Sequence, residues 1–244
     1  MKALASDFDG TLYFEGDHMH ECDLQAIRTF QQQGHLFGVC TGRPLVGIQK
    51  PTKERIQYDF YILTSGAIIL DKNLKPIYKC CMDKDIMKRL YLEFQDECHI
   101  SIQAHHIVYS FQTRVDIDMH QEVIQSPDEV LVDDIYGMSF EAKDEDQAKA
   151  ICQKIYQEFA QEVDAYQNTR YVDIVAKGCS KGNAIRKLRE LKHIDVIGGI
   201  GDSYNDIPML KSVDKAFTFH RSPKAVQDQA DYLVDYVKDA IAMM

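Results

Sequence analysis

The sequence predicts an α/β fold: a Rossmann-like three-layer parallel-sheet core with an inserted α+β cap domain. Three observations carry that reading. Short apolar strands alternate with amphipathic helices at both ends of the chain, the pattern of βαβ units and a parallel sheet. The middle strings together strands with partial apolar–polar alternation, flanked by two amphipathic helices, which marks a separate α+β layer. Acidic, hydroxyl and basic residues gather where the outer strands stop, the place where open α/β sheets bind ligands. The expected boundaries are 1–81 for the first core segment, 82–173 for the inserted domain and 174–244 for the second core segment.

The elements follow in order. Lys2–Ser6 reads as a short strand and Asp7–Leu12 as the loop after it. Between about Cys22 and Gln33, Leu24, Ile27 and Phe30 recur at helical spacing, and Gly34 closes that helix as a C-terminal cap does. His35–Cys40 is a second strand, broken by Thr41-Gly42-Arg43-Pro44. In the middle, Asp83–Glu97 and Asp144–Gln161 read as helices. Ile100–Gln103, Ile107–Phe111 and Ile135–Phe140 read as strands. Alternation resumes with a helix over Gly182–Leu191, a strand over Asp195–Ile200 and a short helix over Asp206–Leu210. A strand over Lys215–Phe219 and a helix over Pro223–Gln229 complete it.

Composition removes several function classes. With 244 residues, 45% hydrophobic and 27% charged, the chain is of ordinary globular type, not disordered. Its net charge of −10 repels polyphosphate, so no nucleic-acid partner is expected. No run approaches the roughly 18 apolar residues of a membrane span, and no signal segment precedes the first strand; no membrane partner is expected. The seven cysteines include no Cys-x-x-Cys, and adjacent Cys80 and Cys81 are poorly placed to pair with each other. Free thiols in such a chain predict a cytoplasmic location.

Four motifs carry the chemistry. In Asp7-Phe8-Asp9-Gly10-Thr11, strand alternation puts Asp7 and Asp9 on one side. Two close carboxylates repel unless a cation lies between them or one is protonated. That suits a hard ion such as Mg²⁺, or a split of nucleophile and general acid–base roles; the plainer alternative is a solvated Asp-Gly turn. Thr41-Gly42-Arg43 ends the second strand, where a hydroxyl and backbone amides can hold a phosphate oxygen, or where the chain simply turns. Lys181, in Gly178-Cys179-Ser180-Lys181-Gly182-Asn183, sits just before a helix whose dipole disfavours a cation there, so an anion nearby would account for it; the plainer alternative is an exposed lysine beside a loop. In Gly201-Asp202-Ser203-Tyr204-Asn205-Asp206, Asp202 and Asp206 are spaced to face one way on a helical turn. They could complete a metal site or merely cap the helix. Together the four supply paired acids, a hydroxyl, a cation and further acids, which is equipment for metal-assisted phosphoryl transfer.

With these motifs in this order, the chain resembles the haloacid dehalogenase superfamily of phosphatases, specifically the Cof-type hydrolases with a large α+β cap. Ile207-Pro208-Met209-Leu210 and Ala230-Asp231 add local matches, and the long stretch between Thr41 and Lys181 fits that cap. The resemblance implies a Mg²⁺-dependent phosphatase of small phosphorylated metabolites, such as sugar phosphates or phosphorylated cofactors. Asp7 would be the nucleophile that forms an aspartyl-phosphate, and Asp9 the general acid and base. Asp7, Asp9 (through its carbonyl), Asp202 and Asp206 would surround the metal. Phe8 and Gly42 (through their amides), Thr41, Lys181 and Asn205 would grip the phosphoryl group. The expected protein is a monomer or weak homodimer. A phosphomannomutase-like phosphotransferase and a non-catalytic phospho-ligand sensor are the alternatives.

Two loops depart from the family pattern: Ser65-Gly66-Ala67 where relatives carry Asn-Gly-Ala, and His220-Arg221-Ser222-Pro223 where they often carry Gly-Asn-Ala. Within the cap, His105, His106, Tyr109 and Arg114 are candidates to read the leaving group. Cys98, His99, His105 and His106 match no familiar zinc spacing. Gly199-x-Gly201 lacks the third glycine of a dinucleotide fingerprint.

Overall fold

The computed structural model describes residues 1–14, 16, 18–112 and 121–244. In chain order its elements are β1 (Lys2–Ser6), α1 (Glu21–Gln32), β2 (Leu36–Cys40), α2 (Val46–Thr52), β3 (Phe60–Leu63), β4 (Ile68–Asp71), β5 (Pro76–Lys79) and α3 (Lys84–Phe94). The middle continues with β6 (His99–Ala104), β7 (Ile107–Ser110), β8 (Glu122–Val123), β9 (Ile135–Glu141), α4 (Glu145–Glu158), β10 (Val163–Asn168) and β11 (Tyr171–Ala176). The chain ends with α5 (Lys181–Lys192), β12 (Val196–Ile200), α6 (Ile207–Leu210), β13 (Lys215–Phe219), α7 (Lys224–Gln227), β14 (Tyr232–Val234) and α8 (Val237–Met243).

The first sheet has the order β14-β13-β12-β1-β2-β3-β4-β5. β14 through β3 run parallel, and β4 and β5 extend the sheet antiparallel. Helices cover both faces, so the central strands read as near-continuous apolar runs. Ala3, Leu4 and Ala5 of β1 have no exposed surface. Leu4, Phe37 and Val39 pack with Leu24, Ile27 and Phe30 of α1 on one side. On the other, Ala3, Ala5 and Ile62 pack with Ile185 and Leu188 of α5. The strands β1, β2 and β12 end side by side, and the loops that leave them carry three of the four motifs.

The second sheet, β10-β11-β9-β6-β7-β8, is antiparallel apart from the short β7–β8 pair. Here period-2 alternation divides labour between two faces. Ile100, Ile102, Met138, Phe140, Val172 and Ile174 face α3 and α4, packing on Met87, Leu90 and Phe94 and on Ala148, Ile151 and Ile155. The opposite face carries the row Ser101–Ser139–Asp173, adjacent in register across three strands. That polar face roofs the strand ends of the first sheet. β11 runs beyond Asp173 to Ala176 before the chain returns to α5.

Several elements escape sequence reading. β10 and β11 mix Asp, Gln and Asn into their alternation, β14 spans three residues, and α2 contains Pro51. The expected helix at Asp206–Leu210 divides into a 3₁₀ turn at Tyr204–Asp206 and α6. Among the described residues no helix is long and apolar enough to cross a membrane.

The cysteines require a correction. Cys80 and Cys179 form a disulfide with Cα atoms 6.6 Å apart, so the thiols are not all free. The partners lie 99 residues apart in sequence, and spacing between near neighbours does not reveal such a pair. Cys22, Cys40, Cys81, Cys98 and Cys152 remain free thiols. Alkylation of the denatured protein is therefore expected to label five cysteines without reductant and all seven after reduction; seven labelled in both conditions, by mass spectrometry, would contradict the pairing.

Candidate active site

β1 delivers Asp7 to the floor of a cleft of about 700 Å³ between the two sheets. Asp7 is buried, and its amide continues the ladder by donating to the Ile200 carbonyl at 2.8 Å. Gly10 turns the chain immediately afterwards with φ +73°. A side chain there would be strained by that backbone, and its Cβ would sit 2.6 Å from the Asp202 Oδ2. The loops after β1 and β12 therefore interlock at a glycine. Thr11 Oγ1 adds a hydrogen bond to Asp202 Oδ1 at 2.7 Å.

Lys181 is the first residue of α5, whose N-cap Ser180 accepts from the Asn183 amide at 3.0 Å. Its side chain is buried, and Nζ donates to Asp7 Oδ1 and Asp206 Oδ1, both at 2.6 Å. The anion that a lysine at a helix start calls for is thus supplied by the protein's own carboxylates. Burial alone would lower the Lys181 pKa, but Asp206 and Asp7 outweigh it and hold the ammonium charged. Asp7 is pushed up by burial and by the Asp206 charge, with Lys181 opposing. Burial and Asp206 also push Asp202 up, to about 6.

Carboxylate oxygens of Asp7, Asp202 and Asp206 all lie within 4.8 Å of one another. Asp206 does not share a helical face with Asp202, as spacing suggested. It folds back, its Oδ2 accepting the amides of Asp202 and Ser203 at 3.0 Å each. It fills both proposed roles, capping its own loop and joining the acidic cluster. Three carboxylates against one ammonium leave excess negative charge, and all the donors are hard oxygens. Such a set fits a small divalent cation like Mg²⁺.

Asp9 stands apart from that cluster. It lines the cleft, but its carboxylate takes a two-pronged contact from Arg43: Nη2 to Oδ1 at 2.6 Å and Nε to Oδ2 at 2.8 Å. Arg43 is fixed in turn by the Gly47 carbonyl at 2.8 Å, and lies against the stacked rings of Phe8 and Tyr13. Sequence reading took Arg43 for part of a turn; only the approach of two loops reveals its partner. Buried Thr41 Oγ1 accepts the Arg43 amide at 3.1 Å, and Thr41 and Gly42 line the cleft beside Asp7. Asn205 is buried at the cleft wall, and its Oδ1 has no protein partner. A buried polar atom of this kind is expected to meet a ligand or water. The Phe8 ring is fully buried in the core, so only its backbone can serve the cleft.

The two departing loops brace this arrangement. Arg221 donates to the Gly10 carbonyl at 2.6 Å and stacks on Phe219. Ser65 Oγ faces the cap, 3.3 Å from Asp173 Oδ2. The cap candidates need correction: His105 and His106 are exposed at the β6–β7 turn, and Tyr109 lies on the helix-facing side of its sheet, so none lines the main cleft. Arg114 lies outside the described residues. Alternation places Ser101, Gln103, Ser139, Glu141, Tyr171 and Asp173 there instead. Among the described residues, no zinc-type cluster forms around Cys98 and His99.

Two measurements test these electrostatics. Lys181→Met leaves Asp7 and Asp206 buried without their cation, so unfolding free energy in metal-free buffer should fall by about 3–5 kcal/mol; a denaturant melt within experimental error of wild type would contradict the pairing. Burial pushes the Asp173 carboxyl up to about 6, with Ser139, Lys181 and Ser65 opposing. A carboxyl whose native pKa is raised binds its proton more tightly when folded, so it costs stability as pH rises from about 4 to about 6. Asp173→Asn does not titrate, and its stability relative to wild type should grow across that window by about 1–2 kcal/mol. A constant difference in urea unfolding would show an ordinary carboxylate.

Residues 4–244 match the family model of the haloacid dehalogenase-like hydrolases. A relative from Bacillus subtilis, named 5-amino-6-(5-phospho-D-ribitylamino)uracil phosphatase YcsE, is 21% identical over 99% of this chain and 93% of its own length. The structure of a haloacid dehalogenase-like hydrolase from B. subtilis superimposes with a TM-score of 0.86 at 19% identity, covering 99% of this chain and 97% of the other. The subclass IIB sugar phosphatase BT4131 gives 0.82 at 21% identity, over 98% and 95% of the two chains. The chain therefore belongs to the haloacid dehalogenase-like hydrolases.

Proposed function

We propose that this chain is a Mg²⁺-dependent phosphatase of small phosphomonoesters with uncharged, hydroxyl-bearing leaving groups. The observation that carries it is the buried Lys181 between Asp7 and Asp206, with Asp202 close by and the unpartnered Asn205 Oδ1 beside them. Lys181 engages Oδ1 of Asp7 and leaves Oδ2 for bond making. In the first step an Asp7 oxygen attacks phosphorus, the bond from phosphorus to the leaving oxygen breaks, and Asp9 gives that oxygen its proton. In the second, Asp9 takes a proton from water, water oxygen bonds to phosphorus, and Asp7 is released. Arg43 holds both Asp9 oxygens in the resting site, and that contact has to loosen at one oxygen for Asp9 to carry the proton it gives.

Lys181, Thr41, the Gly42 and Phe8 amides and the Asn205 side chain hold the transferring group and spread its charge. Asp7, the Asp9 carbonyl, Asp202 and Asp206 would hold the metal, which supplies neutralisation of phosphoryl charge. The cap excludes water and reads the leaving group. Among the described residues that line the cleft from the cap, none is Lys or Arg. The hydroxyls and amides present there, Ser101, Gln103, Ser139 and Asn168, support a hydroxyl-bearing leaving group.

Phosphate release from a panel of phosphomonoesters tests this reading. Wild type should turn over with Mg²⁺ and stop with EDTA. Asp7→Asn should lose about 10³-fold or more in kcat while keeping its circular dichroism spectrum. Asp202→Asn should need more Mg²⁺ for half-maximal rate. Turnover by pure Asp7→Asn protein, or an EDTA-insensitive wild type, would overturn the assignment.

A further inference from the structure

We infer that Asp173 is a specificity-determining residue, whose carboxylate accepts a hydrogen bond from a hydroxyl on the first carbons of the leaving group; the inference rests on the phosphatase reading above. Asp173 belongs to the cap by its strand, β11, and to the catalytic cleft by its position. Its carboxylate lies over Gly42: a Cβ on Gly42 would sit 2.4 Å from Asp173 Oδ2. The Gly42 amide belongs to the group proposed to cradle phosphate. Whatever touches both Gly42 and Asp173 is therefore within a bond or two of the phosphoryl group.

A carboxylate beside a phosphate cradle is a repulsive arrangement unless it has a task there. Its partners do not satisfy it. Ser139 Oγ donates to Oδ1 at 3.2 Å and Ser65 Oγ reaches Oδ2 at 3.3 Å, two long hydrogen bonds for a group with about four acceptor positions. The nearby cations are occupied, Lys181 with Asp7 and Asp206 and Arg43 with Asp9. An acceptor held in place on two sides, with capacity left over and facing an enclosed cleft, calls for a donor brought by the substrate. The surrounding cap surface offers hydroxyls and amides, among them Ser101, Gln103 and Asn168, and its other acid, Glu141, is paired with Arg170. That lining suits a polyhydroxylated leaving group better than an ammonium, which would want a concentration of acids.

The Ser65 departure acquires a reason here. Thr64 and Ser65 are consecutive non-glycine residues with φ of 47° and 50°, a left-handed backbone that L residues adopt rarely. The turn aims Ser65 Oγ from the core at the cap carboxylate. Ser65 thus orients Asp173 from below while Ser139 orients it from the neighbouring strand.

The test compares Asp173→Asn with wild type on ribitol, sorbitol and glycerol phosphates and on phenyl phosphate, which has no hydroxyl to offer. Asn keeps the shape and still accepts from the serines at one atom, but it has lost an acceptor. The expected result is a loss of roughly 10- to 100-fold in kcat/KM for the polyol phosphates, with phenyl phosphate within about threefold of wild type. Equal losses on all substrates, or no loss on any, would overturn the inference. Calorimetric binding of ribitol phosphate and phenyl phosphate to Asp7→Asn and to the Asp7→Asn/Asp173→Asn double variant provides a readout without turnover. If wild type releases no phosphate, the phosphatase reading fails alone, and binding decides for Asp173. A preference for ribitol phosphate that vanishes in the double variant supports it; no preference, or no binding of either compound, overturns it.

Discussion

The site depends on one buried ammonium. Lys181 Nζ lies between Asp7 and Asp206 at equal distances of 2.6 Å, and three of the motif loops meet through it. Taking a lysine and two carboxylates out of water costs several kcal/mol per ion, and their attraction offsets this only when the geometry is good. The fold supplies that geometry from rigid parts: Asp7 follows a strand whose residues Ala3 to Ser6 are fully buried, and Lys181 opens a helix packed on the same sheet. Asp206 is anchored by two amides of its own loop. The balance is incomplete by design of charge, with more carboxylate than ammonium, and the shortfall is what a divalent cation and a phosphoryl group would share between them.

The two sheets meet the same requirement by different means. The parallel sheet is buried on both faces, so its chemistry can lie only at the strand ends. The cap sheet is buried on one face, so its chemistry lies along the other, spelled out by every second residue. The cleft is the space between the strand ends of one sheet and a face of the other. Such an arrangement separates tasks: the core loops carry groups that act on phosphorus, and the cap face carries groups that meet whatever is attached to it.

Legibility in the sequence followed the range of the signal. The βαβ alternation, the strand-end position of Asp7 and the helix-start position of Lys181 are local patterns, and each occurs where spacing put it. The pairing of Asp9 with Arg43 joins residues 34 apart, and nothing within either motif announces it. Asp206 shows how one residue can satisfy two readings, since its two oxygens face different partners. Asp173 left only a faint mark, a lone acid between the apolar residues Val172 and Ile174. Alternation says that it faces away from the cap helices; only the packing of cap on core says what it faces. His105, His106 and Tyr109 failed as candidates for a related reason. A histidine pair at a hairpin tip is conspicuous in sequence but does not line the cleft, and Tyr109 falls on the wrong side of the pleat.

The Cys80–Cys179 bridge changes the topology of the chain as well as its covalent structure. Cys80 follows β5, where the chain leaves the core, and Cys179 precedes α5, where it returns. Everything between them becomes a closed ring, attached to the core through one knot instead of two independent strands. A lid on two separate straps can twist, shear or peel from either side. A lid whose two links are tied together cannot part from the core at one link alone, so the two links move as one.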